Sequence, residues 1–219
     1  MCCKQYCIAK AQFDRKVAEG DLRRYRRRGA DPLTKLLISE LRRWSLQAAS
    51  LLDVGGGIGV IDMELANDGV RTATIVEASP AYFEVARGAV ETCYGSRATQ
   101  FVVGDFAALA PELPDADIVT LHRVVCCYPN ADELLRSAAG HARRFIAYTY
   151  PRDCWYMRAF TMFENCWRRL KGKPFRTFVH SSEIMQAALE ASGLARVAQR
   201  STVMWVLDIY ARETAVDQA

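Results

Sequence analysis

A glycine-rich turn interrupts an apolar stretch in the first third of the chain, and it is the clearest sign of chemistry in the sequence. The residues are Leu51-Leu52-Asp53-Val54-Gly55-Gly56-Gly57-Ile58-Gly59-Val60. Glycine at alternate positions permits positive φ and leaves no Cβ between the backbone and a bound molecule. The stretch therefore predicts a strand, a tight turn that binds a flat or charged ligand, and the start of a helix. A dinucleotide fingerprint would require Gly or Ala in place of Val60.

Acidic residues stand at the ends of the next two predicted strands. Glu77 ends the strand 72–77, where a carboxylate can accept hydrogen bonds from ribose hydroxyls. Asp105 and Phe106 follow the strand 99–103. Because open α/β sheets bind ligands at the carboxyl ends of their strands, we expect these side chains to lie at the same edge as the glycine turn.

The spacing D-x-G-x-G-x-G, which begins at Asp53, resembles the first motif of the class I S-adenosylmethionine-dependent methyltransferases. This resemblance covers about residues 48–212 and implies S-adenosylmethionine as the cofactor. It implies that Asp53 organises the amino group of the cofactor and that Glu77 binds its ribose. It also implies that Asp105 contacts the adenine amino group and that Phe106 packs on the ring. The implied cofactor-binding residues are Asp53, Gly55, Gly57, Gly59, Glu77, Ala78, Asp105, Phe106 and His122.

A fourth motif, at residues 117–129, is expected to bring side chains to the methyl group that is transferred. Methyl transfer is an in-line displacement, so positioning can supply much of the catalysis, and a base is added when the nucleophile carries a proton. His122 is the best candidate for this base, because it stands at a strand end and titrates near neutrality. Tyr128 and His180 are the next catalytic candidates.

The acceptor is predicted to be a small molecule. The fourth motif lacks the [DN]-P-P-[YF] sequence of DNA amino-methylating enzymes and the Pro-Cys nucleophile of cytosine-C5 enzymes. Its Tyr128-Pro129 ending resembles small-molecule methyltransferases, including tetrapyrrole enzymes. The predicted substrate-binding residues are Tyr25, Arg26, Arg123, Cys126, Cys127 and Trp155.

The net charge of +4 is concentrated at the N-terminus, where residues 1–50 hold 12 Lys and Arg against 5 Asp and Glu. The run Arg23–Arg28 supplies much of this charge. An anionic group on the substrate would meet it, and a nucleic acid is the alternative partner from a different class of function. A solvated helix face is the third interpretation, and we rank nucleic acid below the small molecule.

Eight cysteines suggest a second enzymatic hypothesis. If Cys2, Cys3 or Cys7 approached the pair Cys126-Cys127, the thiolates would bind a soft metal or metalloid. Such a site would make the protein a thiol-assisted metalloid methyltransferase, although the sequence contains no C-x-x-C pair. The remaining cysteines at positions 93, 154 and 166 lie in apolar helical patterns and are predicted to be small core residues.

Alternating strand and helix patterns predict an α/β fold with a parallel sheet. The resemblance implies a Rossmann-like three-layer sandwich with a mostly parallel seven-stranded sheet, an antiparallel last strand and added N-terminal helices. We expect residues 1–47 to form a helical lid and residues 48–213 to form the S-adenosylmethionine-binding domain, within one compact unit. The first helix is predicted over residues 8–28, and the next is predicted to begin with Asp31 as N-cap and Pro32 at N1.

The apolar segment 154–170 is predicted to be a buried helix or a lid over an apolar substrate, with a homodimer contact or membrane-surface docking as alternatives. No apolar run approaches the roughly 20 residues that span a bilayer. The N-terminus lacks the apolar core of a signal peptide, so a cytoplasmic location is expected. No metal site is predicted in the leading interpretation.

Overall fold

A seven-stranded sheet forms the centre of the molecule in the computed structural model, which describes residues 14–94 and 99–216. The strands are β1 (Ser50–Val54), β2 (Thr72–Glu77), β3 (Thr99–Val103), β4 (Ala116–Leu121), β5 (Ala142–Pro151), β6 (Ala195–Ser201) and β7 (Trp205–Ala211). Their order across the sheet is β3-β2-β1-β4-β5-β7-β6. Strand β7 is antiparallel to both neighbours, and the strands from β1 to β5 pair in parallel. The predicted Rossmann-like sheet with one reversed strand is confirmed.

Helices cover both faces of this sheet. They are α1 (Arg15–Arg28), α2 (Pro32–Leu41), α3 (Val60–Asn67), α4 (Pro80–Tyr94), α5 (Phe106–Leu109), α6 (Ala131–His141), α7 (Trp155–Leu170), α8 (Ser182–Glu190) and α9 (Glu213–Val216). One core lies between the sheet and the helices α2, α3 and α4, and another lies between the sheet and the helices α6 and α8. Neighbouring residues of β1 enter different cores, as Leu51 and Leu52 show, because successive strand residues point to opposite faces.

The N-terminal helices are held by their capping residues. The Asp14 side chain accepts a hydrogen bond from the Val17 N–H, so α1 begins at Arg15. This start is later than the predicted residue 8, and residues 1–13, including Cys2, Cys3 and Cys7, lie outside the described part of the chain. The Asp31 side chain accepts from the N–H groups of Leu33 and Thr34 and begins α2 as predicted. Helix α2 then contributes Leu37, Ile38 and Leu41 to the core beneath β1.

The prediction of a buried segment 154–170 is wrong for its apolar face. In α7 only Met157 and Thr161 are buried, whereas Trp155, Phe163 and Leu170 are largely exposed. The periodicity was strong enough to predict the helix but not the side that contacts the protein. Within the described residues, no helix has the length and apolar character needed to cross a bilayer.

The three cysteines predicted to be core residues are also placed differently. Cys93 and Cys166 are exposed, and Cys154 is only partly buried. Each occurs in an apolar pattern, in which a small side chain can face either the protein or the solvent. Helical spacing does not distinguish the two.

Gly59 is expected to be a strict requirement of the fold. Its φ is +78°, and a Cβ built on it would overlap the Val90 side chain of α4. We predict that Gly59→Ala lowers the free energy of unfolding by at least about 1 kcal/mol. Gly88, in the exposed part of α4, has no atom within 4 Å of a built Cβ, so Gly88→Ala should raise stability by roughly 0.5–1 kcal/mol. Urea unfolding of both variants measures the difference, and equal effects would contradict this packing.

Candidate active site

The turn after β1 needs glycine for two different reasons. Gly55 and Gly59 have φ values of +67° and +78°, and a Cβ on either would overlap a protein side chain, Val124 or Val90 respectively. These two glycines therefore allow close packing within the protein. Gly57 has a φ of +58°, and the nearest atom to a built Cβ is 3.9 Å away. Only at Gly57 does the missing side chain leave room for a ligand.

Glu77 holds this turn from the end of β2. Its Oε2 accepts a hydrogen bond from the Gly57 N–H at 2.9 Å, and its Oε1 accepts one from the Ser79 N–H at 2.8 Å. Burial raises the pKa of Glu77 to about 7, against the opposing effect of these backbone donors. Ala78, which stands between Glu77 and Ser79 in the sequence, is half-buried. The carboxylate predicted to bind ribose thus also fixes the glycine turn.

Asp53 lies beneath the turn in a dry environment. Its Oδ1 accepts a hydrogen bond from the Thr120 hydroxyl at 2.5 Å, while its Oδ2 has no hydrogen-bond partner among the described residues. The carboxyl of Asp62, at the start of α3, is its neighbour. Burial raises the pKa of Asp53 to about 6, and burial together with the charge of Asp53 raises that of Asp62 well above its usual range.

This carboxyl pair fits the predicted cofactor. Two buried carboxyls side by side do not both ionise, so Asp62 retains a proton and Asp53 carries the charge. No cation of the described residues is paired with Asp53, which lines the cleft above the turn. An ammonium group bound there would compensate the buried charge.

The third strand end is organised by a tyrosine. The Tyr128 hydroxyl donates to Asp105 Oδ1 at 2.6 Å, and Asp105 also accepts from the Ala107 N–H as the N-cap of α5. The Phe106 ring is 1% exposed and meets the His141 ring edge-on at 6.0 Å. Asp105 is therefore at the expected edge, while Phe106 belongs to the core, and its contact with adenine stays a prediction.

His122 joins the N-terminal helix α2 to the sheet. The Thr34 hydroxyl donates to Asp31 Oδ2 at 2.7 Å, so its oxygen accepts from His122 Nε2–H at 3.0 Å. On the other side, the Arg123 N–H donates to the Thr149 hydroxyl at 2.8 Å, and that hydroxyl donates to His122 Nδ1 at 3.1 Å. This network assigns the proton of the neutral imidazole to Nε2.

The imidazole is thereby held neutral and in one orientation. Burial lowers the pKa of His122 to about 4, and the charge of Arg123 acts in the same direction. Its Nδ1 lone pair is occupied by the Thr149 hydroxyl. The general-base role therefore stays a prediction that this hydrogen-bond pattern does not favour.

Arg123 occupies a strained backbone position beside the histidine. Its φ is +60°, and Ala48 is the other non-glycine residue with positive φ in the described part of the chain. The guanidinium pairs with Asp31 at 2.8 Å and lies over the Trp205 ring, 5.5 Å from its centroid. Strain of about 1–3 kcal/mol at such a position is typical of functional sites. Arg123 lines the cleft at its mouth, where its side chain is 42% exposed, and its role in substrate binding stays a prediction.

A cleft of about 510 Å³ separates the glycine turn from helices α1 and α2. Its principal lining residues are Asp21, Arg24, Tyr25, Arg28, Asp31, Thr34, Lys35, Asp53, Gly55, Gly57, Tyr82, His122 and Arg123. The Tyr25 hydroxyl donates to Glu64 at 3.0 Å, and burial followed by that bond raises its pKa to about 12. Arg26 is exposed and does not line the cleft, whereas Arg24 and Arg28 do.

Four other catalytic or substrate candidates lie outside this cleft, and its lining also lacks Tyr128 and the cofactor candidates Gly59, Glu77, Ala78, Asp105 and Phe106. Cys126 is buried, Cys127 is half-buried, and their sulfur atoms are 3.9 Å apart. His180 Nε2–H donates to the Tyr128 carbonyl at 2.9 Å, which joins the segment before α8 to the turn after β4. The Trp155 side chain is 80% exposed. None of these four is among the residues that line the cleft.

Sequence reasoning missed several cleft residues for which a signal existed. Asp21, Arg24, Tyr25 and Arg28 follow the spacing i, i+3, i+4, i+7, which places them on one face of α1. If Tyr25 contacts the substrate, this spacing places Arg28 on the same face of α1, whereas Arg26 faces elsewhere. Thr34 gave no comparable signal, because its contact with His122 joins residues distant in sequence.

The comparisons identify the class of the domain. Residues 52–144 match the family model described as a methyltransferase domain. The chain contains that domain, and the resemblance to the class I S-adenosylmethionine-dependent methyltransferases is confirmed. The domain match supports the predicted methyltransferase activity, and two solved structures with the same fold contain SAH or SAM. The search of curated proteins found no match.

Solved structures show the same fold at low sequence identity. Magnesium protoporphyrin IX methyltransferase from Synechocystis PCC 6803 with bound SAH has a TM-score of 0.71 and 17% identity, over 96% of this chain and 100% of that one. An O-methyltransferase family protein from Burkholderia thailandensis has a TM-score of 0.64 and 19% identity, over 82% and 56%. The [4+2]-cyclase SpnF has a TM-score of 0.60 and 15% identity, over 82% and 79%. At these identities the likeness shows the fold and not the acceptor.

Removing the Thr34 hydroxyl should destabilise the protein through His122. Thr34→Val keeps the shape of the side chain but leaves the buried Nε2–H without an acceptor, which costs about 1–3 kcal/mol of unfolding free energy. Thr34→Ser restores the hydroxyl and should recover most of the loss. Chemical denaturation of both variants measures the difference. A valine variant as stable as wild type would contradict the assigned hydrogen bond.

Proposed function

We propose that this enzyme methylates a small molecule at an atom that is already anionic at neutral pH, such as a carboxylate oxygen. The observation that carries this proposal is the cleft beside the glycine turn, where Arg28 and Lys35 have no ion pair among the described residues and His122 is engaged in hydrogen bonds on both ring nitrogens. The cofactor, when bound, supplies an activated methyl group on a sulfonium. The protein then has to position the acceptor and exclude water.

The cofactor is expected to lie along the edge formed by the glycine turn and the acids. Gly57 would allow close approach of its backbone, and the charge of Asp53 would meet the ammonium group. Glu77 would accept from the ribose hydroxyls while keeping its backbone donors. Asp105, already bound to the Tyr128 hydroxyl, would face the adenine.

Two of the three candidate bases, His122 and Tyr128, are engaged through the atoms that a proton transfer would use, and the third, His180, does not line the cleft. His122 Nδ1 accepts from Thr149, and the Tyr128 hydroxyl donates to a carboxylate, which opposes loss of its proton. His180 donates from Nε2 to a carbonyl, and burial lowers its pKa. An acceptor atom without a proton requires none of them. We therefore favour an anionic nucleophile over a neutral amine or alcohol.

The charges of the cleft also favour an anionic acceptor. Arg24 pairs with Asp21 at 2.9 Å, and Arg123 pairs with Asp31. Arg28 and Lys35 also line the cleft, and neither has an ion pair within residues 14–94 and 99–216. One of these two cations can meet the carboxylate of the cofactor, and the other can bind an anionic group of the acceptor.

A thiol-assisted reaction on a metalloid is the second candidate, because the sulfur atoms of Cys126 and Cys127 are adjacent. Cys126 donates to Cys127, which lowers the pKa of the Cys127 thiol, with Arg168 adding to the effect. No group of three or more potential metal ligands occurs among the described residues. Trivalent arsenic binding that persists when both cysteines are replaced by serine would exclude this candidate.

The affinity for S-adenosylhomocysteine should fall as the pH is lowered from 8 to 6. Glu77 has a pKa of about 7, so it becomes protonated over this range and can no longer accept as well from the ribose. The affinity should fall by up to about tenfold per pH unit. Asp53, with a pKa of about 6, adds to the loss at the lower end. In calorimetric titrations, the affinity of Glu77→Gln should change less with pH than the affinity of the wild type. Tighter binding at pH 6 than at pH 8 would contradict the assignment.

The cations of the cleft should determine the affinity for the acceptor. With S-adenosylmethionine labelled in its methyl group, a panel of carboxylate-bearing apolar acceptors can be screened for transfer, and each product can be located by mass spectrometry. We expect Arg28→Ala or Lys35→Ala to raise the KM for the acceptor about tenfold or more. Arg26→Ala, on the same helix but outside the cleft, is the matched control. An equal effect of all three, or binding of RNA that weakens steeply with salt, would favour the nucleic-acid alternative.

A further inference from the structure

Helix α7 presents its apolar side chains to solvent. The exposed fractions are 80% for Trp155, 66% for Met162, 67% for Phe163, 52% for Trp167 and 82% for Leu170. At helical spacing, Trp155, Phe163 and Leu170 lie on one side of the helix. Such a continuous apolar face is unusual on a free protein surface and marks an interaction site.

This orientation is fixed by specific contacts on the other side of α7. Met157 and Thr161 are buried against the protein. The Asn165 side chain donates to the Thr177 carbonyl at 2.8 Å, and the Arg168 guanidinium donates to the Thr177 hydroxyl at 2.9 Å. The polar side of the helix therefore holds it against the protein, and the apolar side faces the solvent.

The apolar surface continues onto the loop between β6 and β7. Val203 is 76% exposed and Met204 is 41% exposed. The Tyr156 hydroxyl donates to the Val203 carbonyl at 2.7 Å, and the Arg152 N–H donates to the Met204 carbonyl at 2.8 Å. These bonds fix the loop to the start of α7. The α7 surface is defined by Trp155, Phe160, Met162, Phe163, Trp167, Leu170, Val203 and Met204.

Cations surround the α7 surface, while the nearby acids are neutralised. Asp153 pairs with Arg158 at 2.7 Å, and Glu164 pairs with Arg168 at 3.2 Å. Four cations in and next to α7, Arg152, Arg169, Lys171 and Lys173, form no ion pair within residues 14–94 and 99–216. The Lys171 ammonium lies 4.6 Å from the Trp167 ring centroid, so a tryptophan and a lysine stand together at the end of the helix.

We propose that the α7 surface docks on an anionic lipid bilayer, with the helix lying in the plane of the interface. Its tryptophans, phenylalanines and leucine would enter the boundary between headgroups and acyl chains, and the surrounding cations would meet anionic headgroups. A second copy of the chain is a poorer partner, because a twofold contact would bring the two sets of unpaired cations together.

Docking in this orientation places the mouth of the cleft beside the bilayer. Trp205 directly follows the exposed loop, and its ring lies under the guanidinium of Arg123 at that mouth. The surface contains no residue of the glycine turn or of the strand-end acids. Lipid binding is therefore measurable without the cofactor and independently of methyl transfer.

Flotation of the full chain with vesicles tests the proposal. We expect binding to vesicles of phosphatidylcholine mixed with phosphatidylglycerol, weaker binding to phosphatidylcholine alone, and weakening of the charge-dependent part at high salt. Phe163→Glu and Leu170→Glu should each reduce the bound fraction about tenfold or more, because each removes an inserted apolar side chain. Thermal unfolding and S-adenosylhomocysteine binding should be unchanged in both variants.

Two controls separate this surface from other routes to a membrane. Val17→Glu changes an exposed apolar residue of α1 at a position where glutamate suits the start of a helix, and it should bind as wild type does. The double variant Arg26→Glu with Arg27→Glu removes the basic end of α1, and it should retain at least half of the bound fraction. Loss of binding in this variant but not in Phe163→Glu would overturn the proposal. Absence of vesicle binding by the wild type would also overturn the proposal. This includes the case in which the wild type forms a dimer that Phe163→Glu dissociates.

Discussion

The hydrogen bond from the Gly57 N–H to the Glu77 carboxylate is the contact on which the site depends. It joins the turn after β1 to the end of β2, and the Glu77 side chain is buried. The carboxylate is most useful when ionised, yet burial raises its pKa to about 7. The backbone donors oppose this rise in pKa and so preserve an acceptor at the sheet edge. The same group therefore supports the fold and prepares the ligand site.

The hydrogen-bond chain through His122 has a comparable role for the N-terminal helices. It runs from Asp31 through Thr34 and His122 to Thr149, and so it connects the start of α2 with β5. Because each hydroxyl both donates and accepts, the chain fixes the direction of every hydrogen bond in it. The wall of the cleft formed by α1 and α2 is consequently held against the sheet by polar contacts as well as by the apolar core.

The sequence predicted the central sheet closely because its signals are local. The bounds of β2 and β3 agree with the expected segments 72–77 and 99–103, since each is a short strand-forming run between turn residues. The strand-end acids followed from the known edge of α/β sheets. The cleft residues Thr34 and Lys35 were not predicted, because their role depends on how α2 packs across the turn.

The orientation of α7 shows a further limit of local reasoning. An apolar helix is usually buried, and the sequence pattern alone favours that outcome. The structure instead anchors α7 through Asn165 and Arg168, two polar residues that bind a segment after the helix. Whether a helical face is core or surface was decided here by these contacts and not by hydrophobicity. The general-base prediction for His122 has the same weakness, since residue type indicated chemistry while the surrounding hydroxyls determine which nitrogen is free.

Hydrogen exchange with and without S-adenosylhomocysteine tests the central claim most directly, namely that the ligand lies between the glycine turn and the N-terminal helices. The account predicts that binding protects amides of residues 55–59 and of residues 28–35 together, because the two segments form opposite walls of one cleft. Protection of the turn without protection of residues 28–35 would contradict the cleft as the complete site. Binding without protection of either segment would contradict the assignment altogether.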